Sequence, residues 1–326
     1  MRIAIVGAGI MGCSLARLLA NGGAEIRLYE RQEWIGGLCA DGLDEDGDFT
    51  PRYGPHVFHT KNPRVAAFAA AFGAWRSDYQ HRVVSVLDDG RTVPVPINTT
   101  TLRLLDQDVA GAAAMLYEPY SQKQWGGHWE QMRESALARV RARSTAEDRY
   151  FPDDAFQGFP VNGYSAWMAE MIRSPRIVTR LGVSPDLEEL SAAFDRVYWT
   201  ARIDEPLGFR FGALPFRTID FRITRQHPVE NLPGPGTGPV RRTHVGLLLG
   251  TGKPAKVIEE YPRECGKEDV PTHVVISPES LLLWERYAKA LPPNVYPVGR
   301  FAEMRYLDMD ASIERAFAVF VEQCPF

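Results

Sequence analysis

Hydrophobic and polar positions fall into clear periods along most of the chain. RIAIV at 2–6 is a short apolar run that predicts a buried strand. CSLARLLANGG then carries apolar residues at helical spacing and closes on glycines, and EIRLYE at 25–30 reads as a second strand. HRVVSVLDDGRTVPVPI at 81–97 alternates on both sides of Asp89-Gly90, the pattern of a hairpin. Between 101 and 146 the period becomes helical, with glycine only at 111, 126 and 127. RIVTRL and RVYWTA return to strand character, and 208–262 adds β-like stretches around PGPGTGP at 233–239. The end, VYPVGRFAEMRYLDMDASIERAFAVF, predicts strand, loop and helix. This order predicts an α/β protein: a discontinuous Rossmann-type nucleotide-binding domain at 1–77, 160–205 and 285–326, a helical insert at 98–150, and a mostly antiparallel sheet domain at 78–97 and 206–284.

The turn after the first strand reads GAGIMG. Gly7, Gly9 and Gly12 have the spacing that permits a tight turn, close backbone approach to a pyrophosphate and close helix packing. Glu30 ends the next strand, about twenty residues on, where ribose hydroxyls would be bound. The helix N-terminus then receives the diphosphate. ERQEWIGGLCADG follows directly, and its second glycine pair resembles the extended fingerprint of FAD proteins. FAD is therefore expected over NAD, with Arg31, Gly36, Gly37 and Leu38 added to the cofactor set.

Length and composition leave this picture intact. The 326 residues, 45% hydrophobic, can fill one large or several smaller cores. A formal net charge of -4 without a Lys/Arg block speaks against nucleic acid or an anionic membrane as partner. A small anion held by local arginines remains compatible with that sum. Cys13, Cys39, Cys265 and Cys324 are scattered without a C-x-x-C pair, which suits free thiols and gives no metal site. No stretch approaches the roughly 20 apolar residues of a membrane span. MRIAIVGAGIMG enters a strand without an export signal, so the expected location is cytoplasmic.

GAGIMG, IGGLCADG, YGPHVFHT, YEPYSQKQWG, EDRYF, QGFPVNGY, FGALPFRTIDF, EEYPRE, VGR and MRYLDMD stand in that order along the chain. Together they resemble the UDP-galactopyranose mutase family, flavoenzymes that interconvert the pyranose and furanose forms of a nucleotide-linked sugar. The resemblance implies that Trp125 of KQWG lines the sugar-nucleotide site and that Tyr120 stacks on the base. It implies a mobile-loop arginine at Arg139, fourteen residues after Trp125, although Arg141 stands where the family has a proline. Tyr150 and Tyr306 would contact the phosphates, Asn231 the substrate, and Asp308 the sugar end. A second diphosphate arginine falls on Arg241 or Arg242 of PVRR, with Arg242 favoured by its distance from Pro239. Arg300 and Met309 would lie by the flavin. Two arginines suit a departing diphosphate because their planar forks bind it bidentately.

The implied reaction uses reduced FAD, whose N5 attacks the anomeric carbon and displaces the nucleoside diphosphate; ring opening and reclosure on the adduct change the ring size. No protein nucleophile is needed, in keeping with the lack of a Ser-His-Asp or Cys-His pattern. The expected partners are a nucleotide-diphosphate sugar and an external reductant, NAD(P)H or a reductase. The insert is shorter than the family's, which leaves a homodimer open. Two further departures touch the substrate end and its surroundings. Thr272, His273 and Val274 replace a Tyr-Tyr-Pro string near the sugar, and TARID puts Arg202 at a proline of TGPID. The first change points to UDP-galactose or to another UDP- or dTDP-sugar, such as a 6-deoxyhexose or a pentose. The sequence itself offers no account of Arg202. Rival readings are an amine-oxidase-type FAD oxidoreductase and a non-catalytic nucleotide-sugar binder.

YGPHVFHT places His56 and His59 three apart. Gly54-Pro55 argues against a helix, and on a strand the two would point apart, so they are not expected to share a metal. The resemblance sets His56 against the isoalloxazine ring as a catalytic and cofactor-contacting residue, and leaves His59 structural.

Overall fold

A computed structural model of the protein describes residues 1–43, 49–138, 141–224, 230–234, 236–246 and 256–323. The chain divides into two units: Met1–Ser77, Gly158–Pro215 and Pro278–Phe326 form the first, Asp78–Gln157 and Phe216–Ser277 the second.

In the first unit the apolar runs pair into a five-stranded parallel sheet. Its order is Ile177–Arg180, Glu25–Tyr29, Arg2–Val6, Arg196–Trp199 and Val295–Pro297. Parallel strands covered on both faces need nearly continuous hydrophobic runs, and Ile3, Ala4, Ile5, Leu28, Val197 and Tyr198 are accordingly fully buried. The first helix, Ile10–Asn21, buries Met11, Leu15 and Leu19 and packs on the last helix, Met309–Gln323. Beside this sheet, Trp75–Arg76 pairs antiparallel with Phe159–Pro160. Phe58, Trp75, Tyr164 and Trp167 form an aromatic cluster there, with ring centroids 5.1–6.5 Å apart.

Residues 206–215 fold with this unit. The backbone N–H of Leu214 donates to Asp204 (2.7 Å), and that of Phe211 donates to the Tyr287 hydroxyl (2.9 Å). Arg202 has a physical account here. It is 4% exposed and makes a bidentate pair, 2.6–2.7 Å, with the fully buried Asp204.

The second unit holds a seven-stranded sheet in the order His273–Val274, Phe216–Thr224, Val257–Glu264, Arg241–His244, Glu230–Asn231, Val83–Val86 and Thr92–Val95. All its pairs are antiparallel except Glu230–Asn231 against Val83–Val86. The helical segment belongs to this same unit as Thr99–Leu105, Val109–Trp125 and Trp129–Ala138. Asn98 and Thr101 cap the first of these reciprocally, and the Asp108 carboxylate caps the second by accepting from Gly111 N–H at 2.8 Å. Val83, Val93, Val95 and Ile97 of the hairpin bury against Leu105, Ala112 and Leu116 of these helices.

Candidate active site

The expected cofactor residues lie in the first unit. Its two glycine turns touch backbone to backbone. A Cβ at Gly12 would stand 1.9 Å from the Gly7 carbonyl oxygen, and one at Gly37, where φ is +54°, would stand 2.9 Å from the Gly9 Cα. Side chains are excluded where these turns meet, leaving a bare backbone platform. Gly36 N–H donates to the Ala8 carbonyl at 2.9 Å. Glu30 is buried, and its two oxygens accept from Ala8 N–H (2.8 Å) and Gln32 N–H (2.9 Å). A carboxylate has about four acceptor positions, so these bonds leave capacity for ribose hydroxyls.

Arg31 pairs with Glu205 at 3.3 Å, and Leu38 sits in the short 3-10 turn Gly37–Cys39. Trp34, between Glu30 and the second glycine pair, carries a buried indole N–H with no hydrogen-bond partner among the described residues. A buried donor left unmade costs free energy, and an oxygen of a bound dinucleotide would satisfy it. The exclusion of side chains at the glycines and this unsatisfied donor both fit a bound dinucleotide.

His56 is half-buried, and its carbonyl accepts from the Tyr164 hydroxyl at 3.0 Å. His59 lies on the strand Phe58–Thr60, within electrostatic range of Asp310. Burial raises the Asp310 carboxyl above its ordinary range, and His59 opposes that shift. Among the described residues no group of three or more His, Cys, Asp or Glu side chains is placed to hold a metal.

Arg300, Tyr306, Asp308 and Met309 are gathered by the loop before the last helix. The Arg300 guanidinium donates to the Leu307 carbonyl (Nε, 2.8 Å), lies 4.8 Å from the Tyr306 ring centroid and stands 3.9 Å from Asp308 Oδ1. The Asp308 carbonyl accepts from Ser312 N–H at 2.9 Å, anchoring the loop to the helix that Met309 starts. Burial pushes the Cys39 thiol up to about 12, against the opposing field of Arg300, so it stays protonated at neutral pH.

Apart from Tyr306, the expected diphosphate residues belong to the second unit, and strand register sorts Arg241 from Arg242. Residues along a strand alternate between faces. Arg241 pairs across the sheet with Asn231 on one side and Glu260 on the other, so these three share a face. Arg241 binds Glu260 bidentately, 2.7 and 2.9 Å, and lies within electrostatic range of Tyr120 and Tyr150. Burial alone would lower the Arg241 pKa, but Glu260 and these phenols raise it, so the guanidinium stays charged.

Arg242 points the other way. Its Nε donates to Glu259 at 2.7 Å, and Glu230 lies 3.9 Å from its guanidinium. Of the two arginines, Arg241 is the one opposite Asn231 and within electrostatic range of Tyr120 and Tyr150. Arg139 lies outside the described residues. Trp125 is 4% exposed and packs with Trp129, Met132 and Val275. Its ring meets that of His273 in a T-shaped contact, with centroids 5.7 Å apart. Arg217 ties down the same helix end by donating to the Gln124 carbonyl at 3.0 Å.

A sequence model described as UDP-galactopyranose mutase matches residues 115–234, and one of NAD(P)-binding Rossmann-like domains matches 5–72. A UDP-galactopyranose mutase of Mycoplasma pneumoniae is 29% identical, covering 96% of this chain and 94% of its own length. A dTDP-fucopyranose mutase of Escherichia coli is 27% identical, covering 97% and 96%. Over nearly its whole length the chain is thus similar to UDP-galactopyranose and dTDP-fucopyranose mutases. The crystal structure of a reduced UDP-galactopyranose mutase has the same fold, with a TM-score of 0.71 at 15% identity, covering 99% of this chain and 95% of that one.

Two features escaped the sequence reading. Glu260 orients Arg241 from the neighbouring strand, a pairing visible only once the register is known. Thr272 and His273, at the divergent string, form a polar cluster with Gln124 beside Trp125. The Thr272 hydroxyl lies 2.9 Å from His273 Nδ1, and Gln124 Nε2 lies 3.4 Å from the same nitrogen.

Proposed function

We propose that the protein interconverts the pyranose and furanose forms of a nucleotide-diphosphate sugar, with FAD as cofactor in its reduced form. The observation that supports this reading on the substrate side is the face shared by Arg241, Asn231 and Glu260, with Tyr120 and Tyr150 within electrostatic range of Arg241. When bound and reduced, FAD would supply a nucleophilic N5 for the anomeric carbon. Gly7, Gly9, Gly12, Gly36 and Gly37 would receive its diphosphate backbone, Glu30 its ribose, and His56, Arg300 and Met309 the surroundings of its ring. Arg31 and Leu38 complete that set.

Arg241 takes the role of the diphosphate fork in place of Arg242. Glu260 fixes the plane of its guanidinium, so little orientation is lost when the leaving group is gripped. Tyr150 and Tyr306 would add neutral hydroxyl donors, Tyr120 would face the base, and Asp308 the sugar. Arg139 keeps its sequence-based place as the second arginine, retaining the diphosphate so that it returns to the sugar and is not lost to water. Trp125 contributes at most an edge, because its rings are enclosed.

UDP-galactose is one candidate substrate. A dTDP-linked 6-deoxyhexose is the other, and a specific feature favours it: Thr272, His273 and Val274 stand where the family's tyrosines would read hydroxyls. A relative named as a dTDP-fucopyranose mutase supports the same direction. A panel of UDP- and dTDP-linked pyranoses, incubated with dithionite-reduced protein and resolved by chromatography, tests the proposal. A furanose product from one member is expected. No product from any member, with FAD bound and reduced, would leave a nucleotide-sugar binder.

A further inference from the structure

We propose that Tyr164, held by Asp41, is a positioning residue that fixes the His56–Phe58 backbone relative to the Gly36–Gly37 turn. This inference rests on the reading that a flavin lies on that turn with His56 beside it.

Tyr164 is 6% exposed, and its hydroxyl donates to the His56 carbonyl at 3.0 Å. This bond ties the ring to the first residue of the His56–Phe58 segment. Burial raises the phenol well above its ordinary value, which keeps it a neutral donor. Tyr164 is itself fixed at the other end. The Asp41 carboxylate accepts from Tyr164 N–H (2.7 Å) and Ser165 N–H (3.0 Å). Asp41 N–H donates to the Ser165 hydroxyl (3.0 Å), which donates to the Asp41 carbonyl (3.1 Å).

Gly163 has φ +81°, and a Cβ there would lie 2.6 Å from an Asp41 oxygen, so this close approach requires glycine. Asp41 follows the 3-10 turn Gly37–Cys39, closed by Ala40 N–H donating to the Gly37 carbonyl at 3.1 Å. A continuous hydrogen-bonded path therefore runs from the second glycine pair through Asp41 and Tyr164 to His56. Neither Asp41 nor Tyr164 is needed for cofactor contact in this account. They act by holding a group that is.

Tyr164→Phe removes the hydroxyl and keeps the ring in its aromatic cluster. The expected result is full FAD occupancy and an altered visible circular dichroism of the bound flavin. Turnover should fall about tenfold at unchanged KM, and Tyr164→Phe should add nothing to His56→Ala. Wild-type dichroism and wild-type turnover in FAD-loaded Tyr164→Phe would overturn the inference. If that variant does not fold, Asp41→Asn must reproduce the altered dichroism; an unchanged signal there also overturns it. A wild-type protein that takes up no FAD would instead overturn the flavin reading, and this inference with it.

Discussion

Arg241 and Arg242 are adjacent in sequence, identical in chemistry and opposed in orientation, so substituting each in turn tests the register argument directly. Arg241 offers a planar fork already oriented by Glu260. Each hydrogen bond to a charged group is worth about 1.5–3 kcal/mol. Two such bonds to a diphosphate give about 3–6 kcal/mol, or roughly 10²–10⁴-fold in kcat/KM. Arg242→Ala should stay within about threefold of wild type, since the Glu259 it leaves still accepts from the Tyr261 hydroxyl at 2.8 Å.

A complication is that Arg241→Ala strands the Glu260 carboxylate, 2% exposed, at a cost of about 3–5 kcal/mol of stability. The double variant Arg241→Ala/Glu260→Gln separates the two effects. Its stability in urea should recover toward wild type while its activity stays low. Steady-state kinetics with reduced protein, alongside urea unfolding, provide the readout. An Arg242→Ala loss equal to or larger than that of Arg241→Ala would refute the assignment.

Three other outcomes are expected. Arg202→Ala should lower unfolding free energy by about 3–5 kcal/mol in a urea titration, because it leaves the fully buried Asp204 without its cation. Gly12→Ala should yield protein without bound flavin by visible absorbance, since its Cβ would collide with backbone at the first glycine turn. The Arg263 guanidinium, then the Gly266 N–H, hold the Asp269 carboxyl at about 2, below its ordinary 3.8. A depressed folded pKa contributes stability that is present above the unfolded value and lost as pH falls through the folded one. Wild-type stability should therefore decline between about pH 4 and pH 2, and Asp269→Asn should flatten part of that decline in pH-dependent unfolding.

The features legible in the sequence were those set by local pattern. RIAIV-GAGIMG-helix-EIRLYE folds as strand, turn, helix and strand because its periods and glycines act within a few residues of one another. The Asp89-Gly90 hairpin forms for the same reason. What escaped depends on pairing between distant segments. Whether Arg241 or Arg242 joins Tyr120 is decided by which residue of Glu230–Asn231 lies opposite each, and a slip of one residue would exchange their faces. Arg202 looked anomalous because a charged residue is tolerated in a core only with a partner, and burial of Asp204 is a property of the folded chain. His273 could be flagged as divergent from the string alone. Its neighbours Gln124 and Trp125 come from a segment nearly 150 residues earlier.

The central claim is an isomerisation that depends on reduced flavin yet consumes no electrons. The decisive measurement is the number of reducing equivalents and oxygen molecules consumed per sugar converted, with the protein reduced once under anaerobic conditions and then supplied with excess nucleotide sugar. The account predicts many turnovers per reduction, with the flavin still reduced at the end. Consumption of one equivalent of reductant or oxygen per product would contradict it and make the protein an oxidoreductase on the same fold.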